Sequence, residues 1–380
     1  MSSLYLHIPY CERKCLYCDF YSIENLSSVK SFLRALGAEI ATRGHSAKDV
    51  EFDTVFFGGG TPSLLSPLQL DGIMQLLRET FPVSPGAEVT LETNPGTVTA
   101  EKLAAYRALG INRLSIGIQS FREEELRFLG RIHDRRQAEQ CFRDARSAGF
   151  DNVSVDLIYS LPGQTAQQWD ESLDRGLALQ PEHISAYSLI VEDRTPLARM
   201  VAAKQVSPNP LETEALLYEN TMVVLQREGF EHYEVSNFAR PGFRSRHNLA
   251  YWTHKNYLGF GPSAHSFWHE EEWGNGRRWS NVAQVSSYCK NLMNGELPVA
   301  FEEVVNRQDL MNERLFLGLR SGGVDLDRMS LDFGLSLPPA RGDTIRQLVT
   351  EGLATLRNGV VCLTSAGYLL CDEIAARLMV

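Results

Sequence analysis

Short apolar runs alternate with helix-length segments along the first half of the chain. Six runs rich in apolar and β-branched residues predict strands at 4–8, 54–57, 88–93, 113–118, 153–159 and 183–190. The gaps between them are each long enough for a helix, at 29–43, 67–80, 100–109, 135–148 and 166–179. Repeated strand–helix units of this kind predict parallel strands joined by crossover helices.

Two architectures fit six such units. One is a partial (β/α)6 barrel and the other is a doubly wound open sheet, and periodicity does not separate them. In both, the side chains that handle ligands collect at the carboxyl ends of the strands. The fold class is therefore α/β, and we expect the functional site at that end of the sheet.

The C-terminal part of the chain is typical of a separate module. Predicted helices at 308–320, 326–333 and 339–351 precede short strands at 354–357 and 360–364 and a final amphipathic segment at 366–379. Asn358-Gly359 between the two strands is a hairpin signal. This pattern predicts a winged-helix-like module that covers the barrel mouth or docks a partner. From 300 to 380 there are eight arginines and no lysines against eleven acidic residues, so nucleic acid is not expected as a partner.

Composition sets the outer bounds. A chain of 380 residues with 43% hydrophobic content can bury a large core over more than one small domain. We expect the barrel over 1–230, a histidine- and aromatic-rich extension over 231–299, and the winged-helix-like module over 300–380. No segment has the length of a transmembrane helix and no apolar signal region is present, which predicts a cytoplasmic location. The formal net charge of −10 disfavours binding to phosphate backbones.

Three of the seven cysteines are clustered. Cys11, Cys15 and Cys18 form a C-x3-C-x2-C motif shortly after the first predicted strand. Three thiolates this close can hold an inorganic site with one open coordination position. A [4Fe-4S] cluster fits this pattern, and so does a zinc ion completed by His7 or by a distant ligand. The other cysteines are expected to be small buried residues: Cys141, Cys289, Cys362 and Cys371.

Glycines and polar residues stand at the ends of the following strands. Three glycines, 58–60, close the second run, and they leave bare backbone that a ligand can approach closely. Glu92 and Gln119 lie at the ends of the third and fourth runs, and Asp156 lies within the fifth. Their oxygens can accept hydrogen bonds from ribose hydroxyls or from an amine. The alternative is structural, with Glu92 capping the next helix and Asp156 paired with an arginine.

Four segments together resemble the radical S-adenosylmethionine (SAM) enzymes of the coproporphyrinogen oxidase-like branch. These are HIPYCERKCLYCDF, FFGGGTPS, LGRIH and DLIYSLPGQT. In that family three cysteines hold a [4Fe-4S] cluster and SAM chelates the fourth iron. The resemblance implies the partial barrel, the cluster on Cys11, Cys15 and Cys18, and SAM as cofactor. It also implies SAM contacts at Tyr5, Tyr17, Gly59, Gly60, Thr61, Glu92, Gln119, Arg131 and Asp156.

Two functions exist within that branch. Oxygen-independent coproporphyrinogen III oxidase, which decarboxylates a haem precursor, carries a fourth cysteine two residues after the third, where this chain has Phe20. The run HNLAYW at 247–252 resembles instead the motif of HemW-type haem chaperones. That resemblance implies haem as the bound ligand and apo-haemoproteins as its acceptors. The oxidase is the alternative function, and homodimer formation, peripheral membrane association and cleavage of SAM are left open.

The segment from 232 to 279 also suits a porphyrin. Haem offers a flat apolar face, an iron that takes nitrogen ligands, and anionic propionates. The segment supplies histidines, tryptophans and arginines to match: His232, His247, His254, His265, His269, Trp252, Trp268, Trp273, Trp279, Arg240, Arg244, Arg246, Arg277 and Arg278. The alternative is an aromatic subdomain with surface histidines. We predict His247 as the axial haem ligand because it lies in the HNLAYW motif.

Overall fold

A computed structural model of the chain describes residues 2–44, 47–270, 274–334 and 338–379. Its first six strands are β1 (Ser3–Ile8), β2 (Phe52–Gly59), β3 (Val83–Thr93), β4 (Arg113–Gln119), β5 (Val153–Tyr159) and β6 (His183–Ser188). The helices among them are α1 (Val29–Gly44), α2 (Pro67–Thr80), α3 (Ala100–Ala108), α4 (Glu123–Leu129), α5 (Arg135–Ser147) and α6 (Ala166–Ala178). Every strand and helix predicted for this half is present, and α4 is additional.

Strands β1 to β6 lie side by side in sequence order, and each pairs in parallel with the next. A doubly wound sheet would reverse its strand order at a switch point, and none occurs between β1 and β6. The outer sides of β1 and β6 pair with other strands rather than with each other, so the barrel is open. The predicted partial (β/α)6 barrel is confirmed.

Local sequence signals start three of the barrel helices. Ser66 with Gln69, Asp134 with Gln137, and Thr165 with Gln168 each form a capping box at the start of α2, α5 and α6. In this arrangement the cap side chain and the third helical residue each accept a backbone N–H from the other end of the turn. These caps fix where the crossovers turn back towards the sheet.

The two faces of the barrel strands differ in polarity. One set of alternate residues packs against the helices and is apolar: Leu4, Leu6, Ile8, Val55, Phe57, Val153, Val155 and Leu157. The other set points into the barrel, and many of its buried members are polar: Thr54, Glu88, Thr90, Arg113, Ser154 and His183. Successive side chains of a strand alternate between faces, so the barrel has an apolar outer layer and a polar lumen.

The segment after β6 extends this sheet at both edges. It contains α7 (Pro196–Ala202), α8 (Leu211–Arg227), β7 (Glu231–Glu234), β8 (Asn237–Ala239), α9 (Arg246–Trp252), β9 (Tyr257–Phe260), β10 (His265–His269), β11 (Gly276–Asn281), α10 (Val285–Met293) and β12 (Val299–Val305). Strands β8 and β7 continue the sheet beyond β6, while β9 to β12 continue it beyond β1. The 231–299 segment is therefore part of one twelve-stranded sheet, and the predicted boundary at 299/300 falls inside β12.

The C-terminal module has three helices and a small sheet. It comprises α11 (Arg307–Leu319), β13 (Val324–Asp325), α12 (Leu326–Phe333), α13 (Pro339–Thr350), β14 (Ala354–Arg357), β15 (Val360–Leu363), α14 (Ser365–Tyr368) and α15 (Cys371–Leu378). Asn358 and Gly359 both have positive φ, 50° and 78°, as the tight hairpin requires. The winged-helix-like prediction is confirmed. Strand β13 and the break between α14 and α15 were not predicted.

The module packs against the barrel sheet. Phe267 and Val305 from the sheet share an apolar cluster with Leu310, Leu315 and Ile374 of the module. At the other edge of the sheet, the Val235 amide donates to the Arg320 carbonyl at 2.8 Å. Within the described residues, we find no helix long and apolar enough to cross a membrane.

Candidate functional site

The three clustered cysteines lie on the loop between β1 and α1, at the carboxyl end of the barrel strands. Two backbone hydrogen bonds close this loop, from Cys11 to Ile23 at 3.0 Å and from Ile23 to Pro9 at 2.8 Å. Cys11 is buried, whereas Cys15 and Cys18 are half-buried. The loop therefore presents its sulfurs at the barrel mouth, where the strand-end rule places ligand chemistry.

Two of the sulfurs accept hydrogen bonds from the barrel. Thr61 Oγ1 donates to Cys11 Sγ and Arg131 Nη1 donates to Cys15 Sγ, both at 3.5 Å. Burial raises the pKa of Cys18 to about 11, and the neighbouring Cys15 and Cys11 add to the rise. A bound cationic metal centre would stabilise the thiolate form of such a group.

Three cysteine thiolates are a donor set that suits a [4Fe-4S] cluster. Three thiolates on one zinc ion would converge to within about 4 Å of each other, given Zn–S bonds of about 2.3 Å. No three Cys, His, Asp or Glu side chains are arranged to hold one metal ion in the described ranges. A cubane cluster binds each cysteine to a different iron and accepts wider spacing.

The glycines that end β2 pack tightly on neighbouring groups. A Cβ at Gly60 would lie 2.6 Å from the Tyr10 carbonyl oxygen and 2.9 Å from that of Ile8. Gly59 has φ of 105°, and its added Cβ would meet the His7 ring at 2.7 Å. Gly60 is thus required for backbone packing of β2 against the cysteine loop, in addition to any contact with a ligand.

Two carboxylates face each other in the lumen below these glycines. Glu92 Oε2 accepts the Gly59 amide at 3.2 Å, and Asp156 accepts both Ser115 Oγ at 2.8 Å and Ser154 Oγ at 3.0 Å. Burial raises the pKa of Glu92 to about 8, and the charge of Asp156 adds to the rise. Burial also raises the pKa of Asp156. A cationic ligand between them would favour the ionised form of both.

Arg131 and Gln119 lie beside Gly117, near the end of β4. The Arg131 guanidinium is held by the Gly117 carbonyl at 2.6 Å as well as by Cys15, and its Nε is buried without a partner among the described residues. Gln119 has φ of 70°, a left-handed conformation that few non-glycine residues adopt. Its Nε2 would lie 2.8 Å from a Cβ at Gly117. The end of β4 therefore turns these polar groups towards the mouth.

Two tyrosines complete the group of predicted residues. Tyr5 stacks on Phe56 with ring centroids 6.2 Å apart, and its hydroxyl lies 3.2 Å from His7 Nδ1. Tyr17 packs on a small apolar cluster that includes Leu129 and Ile158. The cysteines and seven of the nine predicted SAM contacts lie at the strand ends or on the loops above them. Asp156 lies in the middle of β5, and Tyr5 lies within β1 with its ring centroid 6.4 Å from that of His247.

His133 also holds this region together, and sequence reasoning gave it no role. Its Nε2 is 3.1 Å from the Ile118 carbonyl and its Nδ1 is 3.2 Å from Asn94 Oδ1. It thereby ties the end of β4 to the loop that follows β3. The available signal was its position in LGRIH, two residues after Arg131.

His247 lies at the opposite end of the barrel from the cysteines. Helix α9 closes that end, where Glu88 accepts the backbone amides of Arg246 and His247 at 3.1 and 3.0 Å. The His247 ring lies 2.7 Å from Thr54 Oγ1 through Nδ1 and 3.0 Å from the Tyr251 hydroxyl through Nε2. Its side chain is buried, and burial lowers its pKa to about 3. Neither nitrogen is available to an iron in this conformation, which argues against the predicted axial role.

The other histidines of the 232–279 segment differ in exposure. His254 lies 3.1 Å from Glu313, and His269 Nε2 lies 2.9 Å from the His254 carbonyl. His232 is stacked on Phe238. His265 is exposed. The predicted aromatic residue Trp273 lies outside the described residues.

Comparison with known proteins identifies the family. The Radical SAM superfamily model matches residues 5–176, and the HemN C-terminal domain model matches 305–370. The curated protein "Heme chaperone HemW" of Bacillus subtilis (strain 168) is 36% identical over 378 residues, 98% of each chain. The chain belongs to the HemW family of radical SAM proteins. Membership implies a [4Fe-4S] cluster and SAM, so the zinc alternative is not supported.

Two further relatives place the HemW family member in context. "Heme chaperone HemW" of Escherichia coli (strain K12) is 37% identical over 271 residues, 69% of each chain. The solved structure of coproporphyrinogen III oxidase (HemN) from Escherichia coli, a radical SAM enzyme, has a TM-score of 0.85 and 24% identity. It covers 100% of this chain and 90% of its own. At that identity the structural match shows the shared fold alone.

Proposed function

We propose that this HemW family member is a haem chaperone that binds haem and delivers it to apo-haemoproteins. The observation that carries the proposal is the full-length similarity to proteins named as heme chaperones, at 36% identity over 98% of the chain. Phe20 supports it, because this residue stands where the oxidase of the same branch has a further cysteine. Its side chain is 66% exposed, so it supplies neither a thiol nor a core contact.

The cysteine loop is the proposed cluster site. Cys11, Cys15 and Cys18 would hold a [4Fe-4S] cluster, with Thr61 and Arg131 donating to two of the sulfurs. Hydrogen bonds from such donors stabilise thiolate charge, and the Arg131 cation offsets part of it. When bound, the cluster supplies one-electron chemistry and an iron open to a further ligand. The residues around it exclude water from one side only, since Cys15 and Cys18 remain half-buried.

The strand-end residues are the proposed SAM contacts. SAM carries an amine and ribose hydroxyls, which can donate hydrogen bonds to carboxylate acceptors. Glu92 and Asp156 would accept from these groups, while Arg131 is placed to neutralise a carboxylate. Gly59, Gly60, Thr61, Gln119, Tyr5 and Tyr17 form the remaining proposed contacts. The polar lumen, which needs partners for its buried carboxylates, supports this assignment.

His247 is better explained as a structural residue than as the haem ligand. To reach an iron it would have to break its hydrogen bonds with Thr54 and Tyr251 and leave its stack on Phe56, where the ring centroids are 4.8 Å apart. The HNLAYW helix would also separate from Glu88. The haem site is therefore to be sought elsewhere on the protein.

The oxidase is the second candidate, and a turnover assay separates the two. The anaerobically reconstituted protein is given SAM, a reductant and coproporphyrinogen III, and carbon dioxide and decarboxylated porphyrin are measured. We expect no product above the level of a Cys15→Ala variant, which lacks one cluster ligand. Sustained decarboxylation that depends on Cys15 would overturn the chaperone proposal.

A further inference from the structure

A row of residues crosses five neighbouring strands on the lumen face of the sheet. Tyr5 of β1 is paired with Gly259 of β9, His265 of β10 with Ser280 of β11, and Ser280 with Phe301 of β12. Gly259 and His265 are adjacent, because a Cβ on Gly259 would collide with the His265 carbonyl. Directly paired residues project to the same face of a sheet. His265, Ser280 and Phe301 therefore stand side by side.

This row forms a shallow shelf beyond the rim of the barrel. Ser280 has a small side chain, whereas His265 and Phe301 are exposed. The face of Gly259 is covered by the His265 carbonyl. Two strand spacings separate His265 from Phe301, about 10 Å, which is comparable with the width of a porphyrin ring. The shelf thus presents the His265 imidazole and the Phe301 ring on either side of the small Ser280 side chain.

His265 is the histidine of the 232–279 segment best placed for an external ligand. It is exposed, and among the described residues it makes no hydrogen bond or ion pair, in contrast to His247 and His254. Partial burial and the nearby Arg278 lower its pKa. Its ring is therefore neutral near pH 7, which is the form that binds a metal.

The position of the shelf is fixed from behind by a buried carboxylate. Glu39 of α1 accepts the Gly261 amide at 2.9 Å, Asn281 Nδ2 at 2.7 Å and the Tyr288 hydroxyl at 2.6 Å. Gly261 lies in the loop between β9 and β10, and Asn281 follows Ser280 in β11. A side chain held on a rigid support loses less entropy when it binds a ligand.

The shelf adjoins the cysteine loop through His7. His7 packs against Gly261 in the loop before β10, where an added Cβ would lie 2.4 Å from the His7 carbonyl oxygen, and its Nε2 is 2.8 Å from the Tyr21 carbonyl on the cysteine loop. Arg278 lies at the lower edge of the shelf, where it is shared by Glu303 and Glu313. A ligand on the shelf would therefore lie at the same mouth as the proposed cluster.

We propose that haem binds on this shelf with His265 as an axial ligand and Phe301 against the porphyrin. The inference rests on the proposed haem-chaperone function and names its binding site. A flat iron porphyrin suits the row, since the row offers one nitrogen donor and an exposed aromatic ring on either side of the small Ser280 side chain.

Haemin titrations of the full-length protein, followed by absorption and electron paramagnetic resonance spectroscopy, test this site. We expect His265→Ala to weaken haemin binding at least tenfold and to lose the histidine-ligated spectrum, with added imidazole restoring the spectrum. His265→Met should retain binding with a shifted Soret band. Ser280→Trp should block the shelf, whereas Val304→Trp on the opposite face of the same sheet should not.

The possible results distinguish a failure of the proposed haem site from a failure of the proposed chaperone function. If the native protein binds one haemin and both His265→Ala and Ser280→Trp keep its affinity and spectrum, the shelf is wrong while the chaperone function stands. If the native protein binds no haemin, both proposals fail. Circular dichroism and iron content of each variant report whether it folds, and Val304→Trp controls for the bulk of the new side chain.

Discussion

Replacing Gly60 by alanine should detach the cysteine loop from the barrel. The added Cβ would lie 2.6 Å from the Tyr10 carbonyl oxygen and 2.9 Å from both the Ile8 carbonyl oxygen and the Tyr10 nitrogen. All three atoms are backbone, so no side chain can move aside. The substitution must displace the hydrogen bonds from Gly60 to Ile8 at 2.9 Å and from Thr61 to Tyr10 at 2.7 Å.

The expected loss follows from these contacts. Two backbone hydrogen bonds contribute about 1 kcal/mol each, and forced overpacking costs about 1–3 kcal/mol. We therefore expect the loop to be destabilised by about 3–5 kcal/mol. Because Cys11 lies directly after Tyr10 and accepts a hydrogen bond from Thr61, the predicted result is a protein that folds but retains little iron and sulfide after anaerobic reconstitution.

Gly72 provides the matched control. It lies in α2, and a Cβ there would meet nothing within 4 Å. Gly72→Ala should retain full iron and sulfide and raise the free energy of unfolding by about 0.5–1 kcal/mol, as alanine does in a helix interior. If Gly60→Ala bound as much iron and sulfide per chain as Gly72→Ala, the packing role assigned to this glycine would be refuted.

Three further substitutions test the roles of Glu92, His247 and Phe20. Because the pKa of Glu92 is about 8, its ionised fraction rises about tenfold from pH 7 to pH 9. The SAM affinity of the native protein, divided by that of Glu92→Gln, should therefore rise over this range, since titration of SAM itself affects both proteins equally. A ratio that does not change with pH would contradict the assignment of Glu92 as a SAM contact. His247→Ala should lower the free energy of unfolding in the absence of haem by about 2–4 kcal/mol; unchanged stability with loss of haem binding would restore His247 as a ligand. Phe20→Ala should change neither cluster content nor stability by more than about 0.5 kcal/mol, because the side chain is exposed, and a loss of iron would show that Phe20 supports the cluster.

The barrel half of the fold could be predicted because its signals are local. Apolar runs between helix-length segments identified all six parallel strands, and β5 has the predicted bounds of 153–159. The edge strands could not be predicted in this way, since β8 and β9 lie on opposite sides of the barrel although they are close in sequence. Pairing of that kind depends on long-range contacts that short sequence patterns do not record.

The candidate site was likewise predictable only where its signals are local. The strand-end rule predicted that Glu92, Gln119 and Asp156 belong to the ligand-handling end of the barrel; Glu92 and Gln119 lie at the ends of β3 and β4, whereas Asp156 lies in the middle of β5. The HNLAYW motif marked His247 as important without indicating which end of the barrel it occupies, and the structure places it behind Glu88 and Thr54. A sequence motif can mark a helix that closes one end of the barrel as readily as a residue that binds haem iron, because both depend on particular side chains in contact.

Haemin binding and transfer by the reconstituted protein is the measurement that tests the chaperone proposal most directly. Haemin is titrated anaerobically, the complex is mixed with an apo-haemoprotein, and the haem spectra of donor and acceptor are followed. We expect saturation at about one haem per chain, as one shelf allows, and movement of that haem into the acceptor. Failure of the protein to bind haemin, together with conversion of coproporphyrinogen III, would contradict it.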